Sequence, residues 1–236
     1  MTDIAQRLDS VSKRIREAEK HHHRPAGSVT LLAVSKTRPA ADLRQALAWG
    51  QTEFAENYLQ EARDKQDALR ADPSHPPGKT IVTWHFIGPL QSNKTKAVAT
   101  YFDWVHSVDR LKLAQRLNDQ RPEHLPPLNI CLQVNISDED TKAGLAPADV
   151  ADLARAVAGM RRLRLRGLMC IPAPADTEAH QRAPFRALRQ LQQQLIHQGH
   201  ALDSLSMGMS GDLEAAVAEG ATLVRVGTDI FGPRIY

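Results

Sequence analysis

Several things are scarce in this chain. No apolar run approaches the length a membrane-spanning helix needs, and no secretory signal opens the sequence. We therefore expect a protein of the cytoplasm that keeps clear of membranes. Cysteine is limited to two residues, Cys131 and Cys170. Both sit in apolar, strand-like runs, which suits buried thiols in a reducing compartment and gives no disulfide framework. An excess of one charge is missing too. Thirty Lys and Arg against 27 Asp and Glu leave a formal +3, and the two signs are interspersed along helical segments, which argues against nucleic acid as the main partner. Metal-ligand spacing is absent. His21, His22 and His23 are consecutive and would point in different directions on a helix, so no metal is expected there.

What remains is an ordinary globular composition, 42% hydrophobic and 24% charged over 236 residues, enough for one full core. Ile4, Leu8, Val11, Ile15 and Ala18 recur at helical spacing after Thr2 or Asp3, either of which can cap the start. Short apolar strands follow at 30–34, 53–55, 83–87, 104–106, 130–135, 165–170, 205–207 and 223–226. Most are followed by a helical face, such as Leu59/Ala62/Gln66/Leu69, Val150/Leu153/Ala154/Val157 and Phe185/Leu188/Leu191/Leu195. Gly50 and Gly220 stand where helices should stop. Eight strands alternating with helices predict an α/β protein, a (β/α)8 TIM barrel with an extra N-terminal helix. An open doubly wound sheet is the alternative, and its Gly-x-Gly-x-x-Gly turn is lacking after the first strand. The proline-rich stretches 72–77, 121–127 and 171–174 read as loops rather than linkers, so residues 1–236 are expected to form a single domain.

Function in such a barrel belongs at the C-terminal strand ends. Lys36, Asn57, His85, His106, Asn135 and Arg225 fall there in this reading. Lys36 ends the first strand and Arg225 the last, and closure makes those strands neighbours. A lysine on a rigid strand end suits a Schiff base; it equally suits a solvated side chain. Ser206-Met207-Gly208-Met209-Ser210-Gly211-Asp212 opens a helix whose first amides suit a phosphate, or Ser210 and Asp212 simply cap it. In Arg225-Val226-Gly227-Thr228, Gly227 permits close backbone approach and Thr228 offers a hydroxyl and an amide, although a glycine turn closing the barrel explains the same residues. An amine with a phosphate cradle points to pyridoxal 5′-phosphate, whose aldehyde condenses with lysine. Arg225, with no acceptor and a permanent charge, would then face the pyridine nitrogen and keep it unprotonated; otherwise it is an interior ion-pair partner.

Trp84-His85-Phe86-Ile87-Gly88-Pro89-Leu90-Gln91-Ser92-Asn93-Lys94 resembles the signature of the YggS/PROSC family of pyridoxal phosphate homeostasis proteins. Ala33-Val34-Ser35-Lys36-Thr37, Glu56-Asn57-Tyr58, Thr141-Lys142-Ala143-Gly144, Gly167-Leu168-Met169, Ser206 to Ser210 and Arg225 to Thr228 match in order. One departure is Ala55, where the family usually has glycine. The resemblance implies a barrel like the N-terminal domain of alanine racemase, with the cofactor on Lys36. It further implies Ser210, Gly227 and Thr228 at the phosphate, Arg225 at the pyridine nitrogen and Asn57 near the ring. His85 and Lys142 match family motifs with less definite roles.

The resemblance favours a protein that buffers and delivers pyridoxal phosphate, with PLP-dependent apo-enzymes as its clients and with no residue assigned to catalysis. A low-activity amino-acid racemase is the alternative. It needs a second acid–base group opposite Lys36, and only Tyr58, Tyr101 and Tyr236 are tyrosines; Tyr101 is expected at the wrong end of the barrel. The second domain that supplies this tyrosine, and a dimer contact, in alanine racemase is not evident, so a monomer is expected. A phosphosugar-binding barrel explains Lys36 and the phosphate-type loops but leaves the signature unexplained.

Overall fold

In the computed structural model, which describes residues 3–72, 82–137 and 143–233, eight parallel strands close into a barrel in sequence order. They are β1 (Thr30–Val34), β2 (Glu53–Glu56), β3 (Thr83–Phe86), β4 (Trp104–Val108), β5 (Leu128–Gln133), β6 (Leu163–Met169), β7 (Ser204–Ser206) and β8 (Leu223–Val226). Helix α1 (Ile4–His21) precedes the barrel. The others among the described residues are α2 (Ala40–Trp49), α3 (Leu59–Arg70), α4 (Thr95–Tyr101), α5 (Leu111–Gln120), α6 (Val150–Ala158), α7 (Glu178–His197), α8 (Leu213–Ala218) and α9 (Thr228–Phe231). The expected (β/α)8 barrel with an extra N-terminal helix is the observed fold.

The local signals act as their chemistry requires. Asp3 caps α1 by accepting from the Ala5 amide at 3.4 Å. Leu8, Val11, Ile15 and Ala18 are buried, and α1 packs on α2, α8 and α9. Gly50 ends α2 at φ 108°, a left-handed conformation that costs a residue with Cβ far more. Strands β1 and β8 have the expected bounds. The starts of β5, β6 and β7 lie one or two residues earlier than expected, and β4 runs on to Val108. Ladder hydrogen bonds extend a strand past its apolar residues, so Asn129 and Arg164 still pair across β5 and β6.

Two cores result. One lies between helices and barrel and includes Phe54, Phe86, Phe102, Val105 and Phe185. A smaller one fills the barrel itself with Leu32, Val34, Ala55, Trp104, Cys131, Met169 and Leu223. Polar side chains share that interior: His85, His106, Ser206 and Arg225 are all buried. Cys131 and Cys170 are buried free thiols. Arg166 of β6 joins the N-terminal end of that interior. Its guanidinium stacks on Trp104, 4.7 Å from the ring centroid, and chelates Asp203, because the strand alternation turns it inward.

Candidate functional site

Four consecutive strands, β7-β8-β1-β2, carry Lys36, Asn57, Ser210, Arg225, Gly227 and Thr228 at or beyond their C-terminal ends. Strand β1 pairs with β8 on one side, Leu32 opposite Arg225, and with β2 on the other, Val34 opposite Ala55. Leu32 and Val34 belong to the interior cluster, and Lys36 shares their parity just past the strand end.

Lys36 is half-buried in the turn that follows β1. Its neighbours hold that turn tightly. The Ser35 hydroxyl donates to Glu56 Oε1 at 2.6 Å, and Lys65 Nζ donates to the same oxygen and to the Ser35 carbonyl, both at 2.7 Å. Burial lifts the Glu56 carboxyl above the ordinary carboxylate range, against the opposing pull of Lys65 and Ser35. Thr37 adopts φ 63°, a conformation costly for a β-branched residue, and its amide donates to Glu61 Oε2 at 2.8 Å. Arg38 ties the same turn to the carbonyls of Gly232 and, at 2.7 Å, Pro233. A cavity of about 530 Å³ opens beside this turn, lined in part by Thr37, Arg38, Glu61 and Lys65.

Asn57 follows β2. Its Oδ1 is buried with no hydrogen-bond partner among the described residues, a state native proteins rarely leave unexplained. The signature glycine explains how Asn57 is seated. A Cβ on Gly88 would lie 2.2 Å from the Asn57 carbonyl oxygen, so only glycine lets the segment after β3 pass there.

The two phosphate-type segments meet through a residue that sequence reasoning missed. Arg14, on α1, donates from Nη2 to the Ser210 carbonyl (2.9 Å), from Nη1 to Asp229 (2.6 Å) and from Nε to Glu214 (2.8 Å). One guanidinium thus fixes the loop after β7 to the start of α9. The signal in the sequence was a lone arginine on the polar side of an amphipathic helix, and nothing local marks it. Asp212 does not cap α8; its carboxylate accepts from the Met209 amide at 2.6 Å. With six and four residues, α8 and α9 have little macrodipole, and an anion there must be held by amides and hydroxyls. Gly227 has φ −120°. Its lack of Cβ serves close packing, since a Cβ would stand 3.2 Å from the Val34 carbonyl oxygen. Thr228 is exposed.

Arg225 is buried, and burial lowers its pKa below the usual arginine value. Nη1 donates to the Ser206 carbonyl (2.6 Å) and hydroxyl (2.8 Å), and Nη2 to the Cys170 carbonyl (2.8 Å). Among the described residues it has no ion-pair partner inside the barrel, and neutral oxygens hold it. His85 and His106 do not stand at the C-terminal ends as expected. They lie inside the barrel and bond one another, because His85 falls between the outward-facing Trp84 and Phe86 of β3, and His106 falls two residues after the interior Trp104, ahead of the register shift in β4. Tyr58 is exposed at the C-terminal mouth, whereas Tyr101 ends α4, ahead of β4 and at the opposite face. Lys142 and Tyr236 lie outside the described residues.

Arginine, a hydroxyl and an amine as donors, a glycine turn, and the unpartnered buried amide oxygen of Asn57 as acceptor are a set that fits a phosphorylated aromatic aldehyde. Among the described residues no cluster of His, Cys, Asp and Glu is fit to hold a metal ion. Residues 6–234 match the family model described as alanine racemase, N-terminal domain. The pyridoxal phosphate homeostasis protein of Pseudomonas aeruginosa is 55% identical over 236 residues, covering all of this chain and 98% of that protein. Its counterpart in Escherichia coli is 49% identical over all of this chain and 99% of its own. The solved structure of PipY from Synechococcus elongatus, with PLP bound, is 40% identical and superposes with a TM-score of 0.81 over 97% of this chain and 100% of that one. Alanine racemase from Corynebacterium glutamicum is 14% identical with a TM-score of 0.68, covering 62% of that chain, a likeness of fold alone.

Proposed function

The chain belongs to the family of pyridoxal phosphate homeostasis proteins, within the alanine racemase N-terminal domain family, and from that premise we propose that it binds pyridoxal 5′-phosphate, buffers it and hands it on in the cytoplasm. The observation that carries this reading is the buried, unpartnered Oδ1 of Asn57, facing the same mouth as Lys36 and an arginine held by neutral oxygens. In this reading Lys36 takes the cofactor's aldehyde as a Schiff base, with loss of one water. Ser210, Gly227 and Thr228 receive the phosphate, Arg225 faces the pyridine nitrogen and Asn57 borders the ring. The cofactor supplies an electron-accepting ring when bound. The chain supplies grip and orientation: Arg14 holds the phosphate-type loops together, and the Ser35–Glu56–Lys65 bonds fix the base of Lys36. A charged arginine at the ring nitrogen disfavours its protonation, which weakens electron withdrawal and suits a carrier better than a catalyst.

Delivery to apo-enzyme clients has its own support. Tyr58, Leu111, Ile171 and Met209 are exposed, and each follows the C-terminal end of a strand, so apolar contacts ring the mouth through which cofactor would leave. The buried free thiols agree with a reducing compartment, and no helix among the described residues is long and apolar enough to cross a membrane. We also propose a single-domain monomer, which sedimentation velocity tests directly.

The decisive experiment adds pyridoxal phosphate to wild type and to Lys36→Ala, reduces with borohydride and maps the adduct. Wild type should gain yellow absorbance and carry the label on Lys36, and the variant should carry none. A label of equal yield in the variant, or a wild type that stays colourless, would overturn the reading. Incubation with single-enantiomer amino acids should show no rotation change at enzymic rates, of order 1 per second.

A further inference from the structure

Beneath the proposed cofactor site, a line of hydrogen bonds crosses the barrel from end to end. Arg225 Nη1 donates to Ser206 Oγ at 2.8 Å. Ser206 Oγ stands 2.7 Å from His106 Nδ1, His106 Nε2 stands 2.9 Å from His85 Nδ1, and His85 Nε2 stands 2.7 Å from Glu53 Oε2. Strands β8, β7, β4, β3 and β2 each contribute one member. The two imidazoles and the arginine are buried, while Glu53 reaches the N-terminal mouth with its side chain 30% exposed.

Counting protons gives this line a direction. At the far end an ionised Glu53 only accepts, so two neutral rings each pass their one proton toward it, and the Ser206 oxygen, which accepts from Arg225, gives its hydroxyl hydrogen to His106 Nδ1. His106 therefore carries its proton on Nε2 and gives it to His85 Nδ1. His85 in turn carries its proton on Nε2 and gives it to Glu53, which accepts. Every member is satisfied with both histidines neutral and Glu53 ionised. Burial, then His85 and Arg225, hold His106 well below the usual histidine range, in keeping with a neutral ring.

We propose that Glu53, His85, His106 and Ser206 are positioning residues: a one-directional relay that sets Arg225 under the cofactor ring and couples cofactor affinity to protonation at the opposite mouth of the barrel. This rests on the reading that Arg225 faces the ring. A proton added at the Glu53–His85 pair would put hydrogen on both nitrogens of His85. His106 would then have to move its own proton to Nδ1, and Ser206 would lose the acceptor for its hydroxyl. Arg225 would feel the change through a buried partner. The other charged or titratable groups facing the line are Arg166 of β6 with Asp203, Cys131 of β5, Cys170 after β6 and Asp212 after β7. Arg166 and Asp203 compensate one another, and the thiols stay neutral because burial raises both to about 12.

The test reads the apo-protein first. Nitrogen-15 spectra of histidine-labelled wild type should show both buried rings neutral and protonated on Nε2. Glu53→Gln, which keeps an acceptor, should preserve that pattern, and Glu53→Leu, which removes it, should mix the two tautomers. Cofactor affinity of wild type should then weaken about fivefold between about pH 8 and about pH 5, and that dependence should flatten in Glu53→Gln. A Glu53→Leu spectrum identical to wild type, or a Glu53→Gln protein with the full pH dependence, overturns the relay. Failure of wild type to bind the cofactor at any pH overturns the functional reading instead, and the tautomer spectra of the apo-protein still decide the relay.

Discussion

The two mouths of the barrel use similar residues and treat them differently. At the N-terminal mouth the polar groups answer one another. Arg166 chelates Asp203 and also donates to Asn129 Oδ1 at 3.1 Å, Ser204 donates to Asp203 at 2.7 Å, and Glu53 accepts from His85. At the C-terminal mouth the bonds fix the backbone around the site, through Ser35, Thr37, Arg38 and Arg14, while Asn57 Oδ1 inside it stays unpartnered. A mouth whose polar groups are mutually satisfied is structure. A mouth with a rigid frame and an unanswered acceptor is prepared for something else, since burying an unpaired polar atom costs about 1–3 kcal/mol unless a ligand repays it.

Arg225 belongs to both mouths, and removing it should produce the largest effect. Arg225→Met leaves the Ser206 and Cys170 carbonyls short of a donor inside the barrel, so a loss of roughly 3 kcal/mol is expected in urea unfolding, together with loss of cofactor binding. A variant of wild-type stability would mean that the guanidinium is not the interior keystone its bonds describe.

Asn57→Ala sharpens the contrast from the C-terminal side. Cofactor affinity should fall about tenfold, the worth of one good hydrogen bond, while the apo-protein, relieved of an unpaired buried oxygen, should lose no stability in unfolding and gain about 1 kcal/mol. Asp203→Ala should do the reverse: stability falls by about 1 kcal/mol and cofactor affinity holds. Calorimetry and titration of the two variants side by side would break the comparison if either changed the wrong quantity.

A smaller effect follows from pH. Burial pushes Asp203 up, but its bonds to Arg166 and Ser204 more than offset this and leave its pKa lowered. A carboxyl lowered on folding contributes stability that is present above its unfolded pKa, near about 4, and is lost as pH falls through the folded value. With the side chain 54% exposed, solvent screening limits this to about 0.5 kcal/mol. Wild type should lose that increment in acid melts, and Asp203→Asn should lack it.

The smallest expected signal is silence. Cys131 and Cys170, both raised to about 12 by burial, should resist alkylation in the native protein and react fully once it is unfolded. Fast native labelling of either thiol would show that the barrel interior opens.

Much of the site could be read in one dimension because its backbone demands are local. Lys36 ends an apolar run, Gly88 passes over a backbone it cannot approach with a side chain, and Gly227 lies against β1. Arg14 could not be read, since its partners stand about 200 residues away in sequence. His85 and His106 were visible but placed at the wrong depth, because a strand pattern tells which face a residue takes and leaves its height along the barrel to the register with its neighbours.

Alternation of apolar strands and amphipathic helices determined the closed eight-stranded barrel and its N-terminal helix, and the ordered signature motifs determined the family. Those are properties of residue type and spacing, and spacing is what secondary structure obeys. Only the tertiary structure decided which polar groups were answered and which were not. That distinction separated a finished N-terminal mouth from a waiting C-terminal one, and it turned two unassigned histidines into a line joining them. Hydrogen bonds satisfy atoms brought together by barrel closure, whatever their distance along the chain.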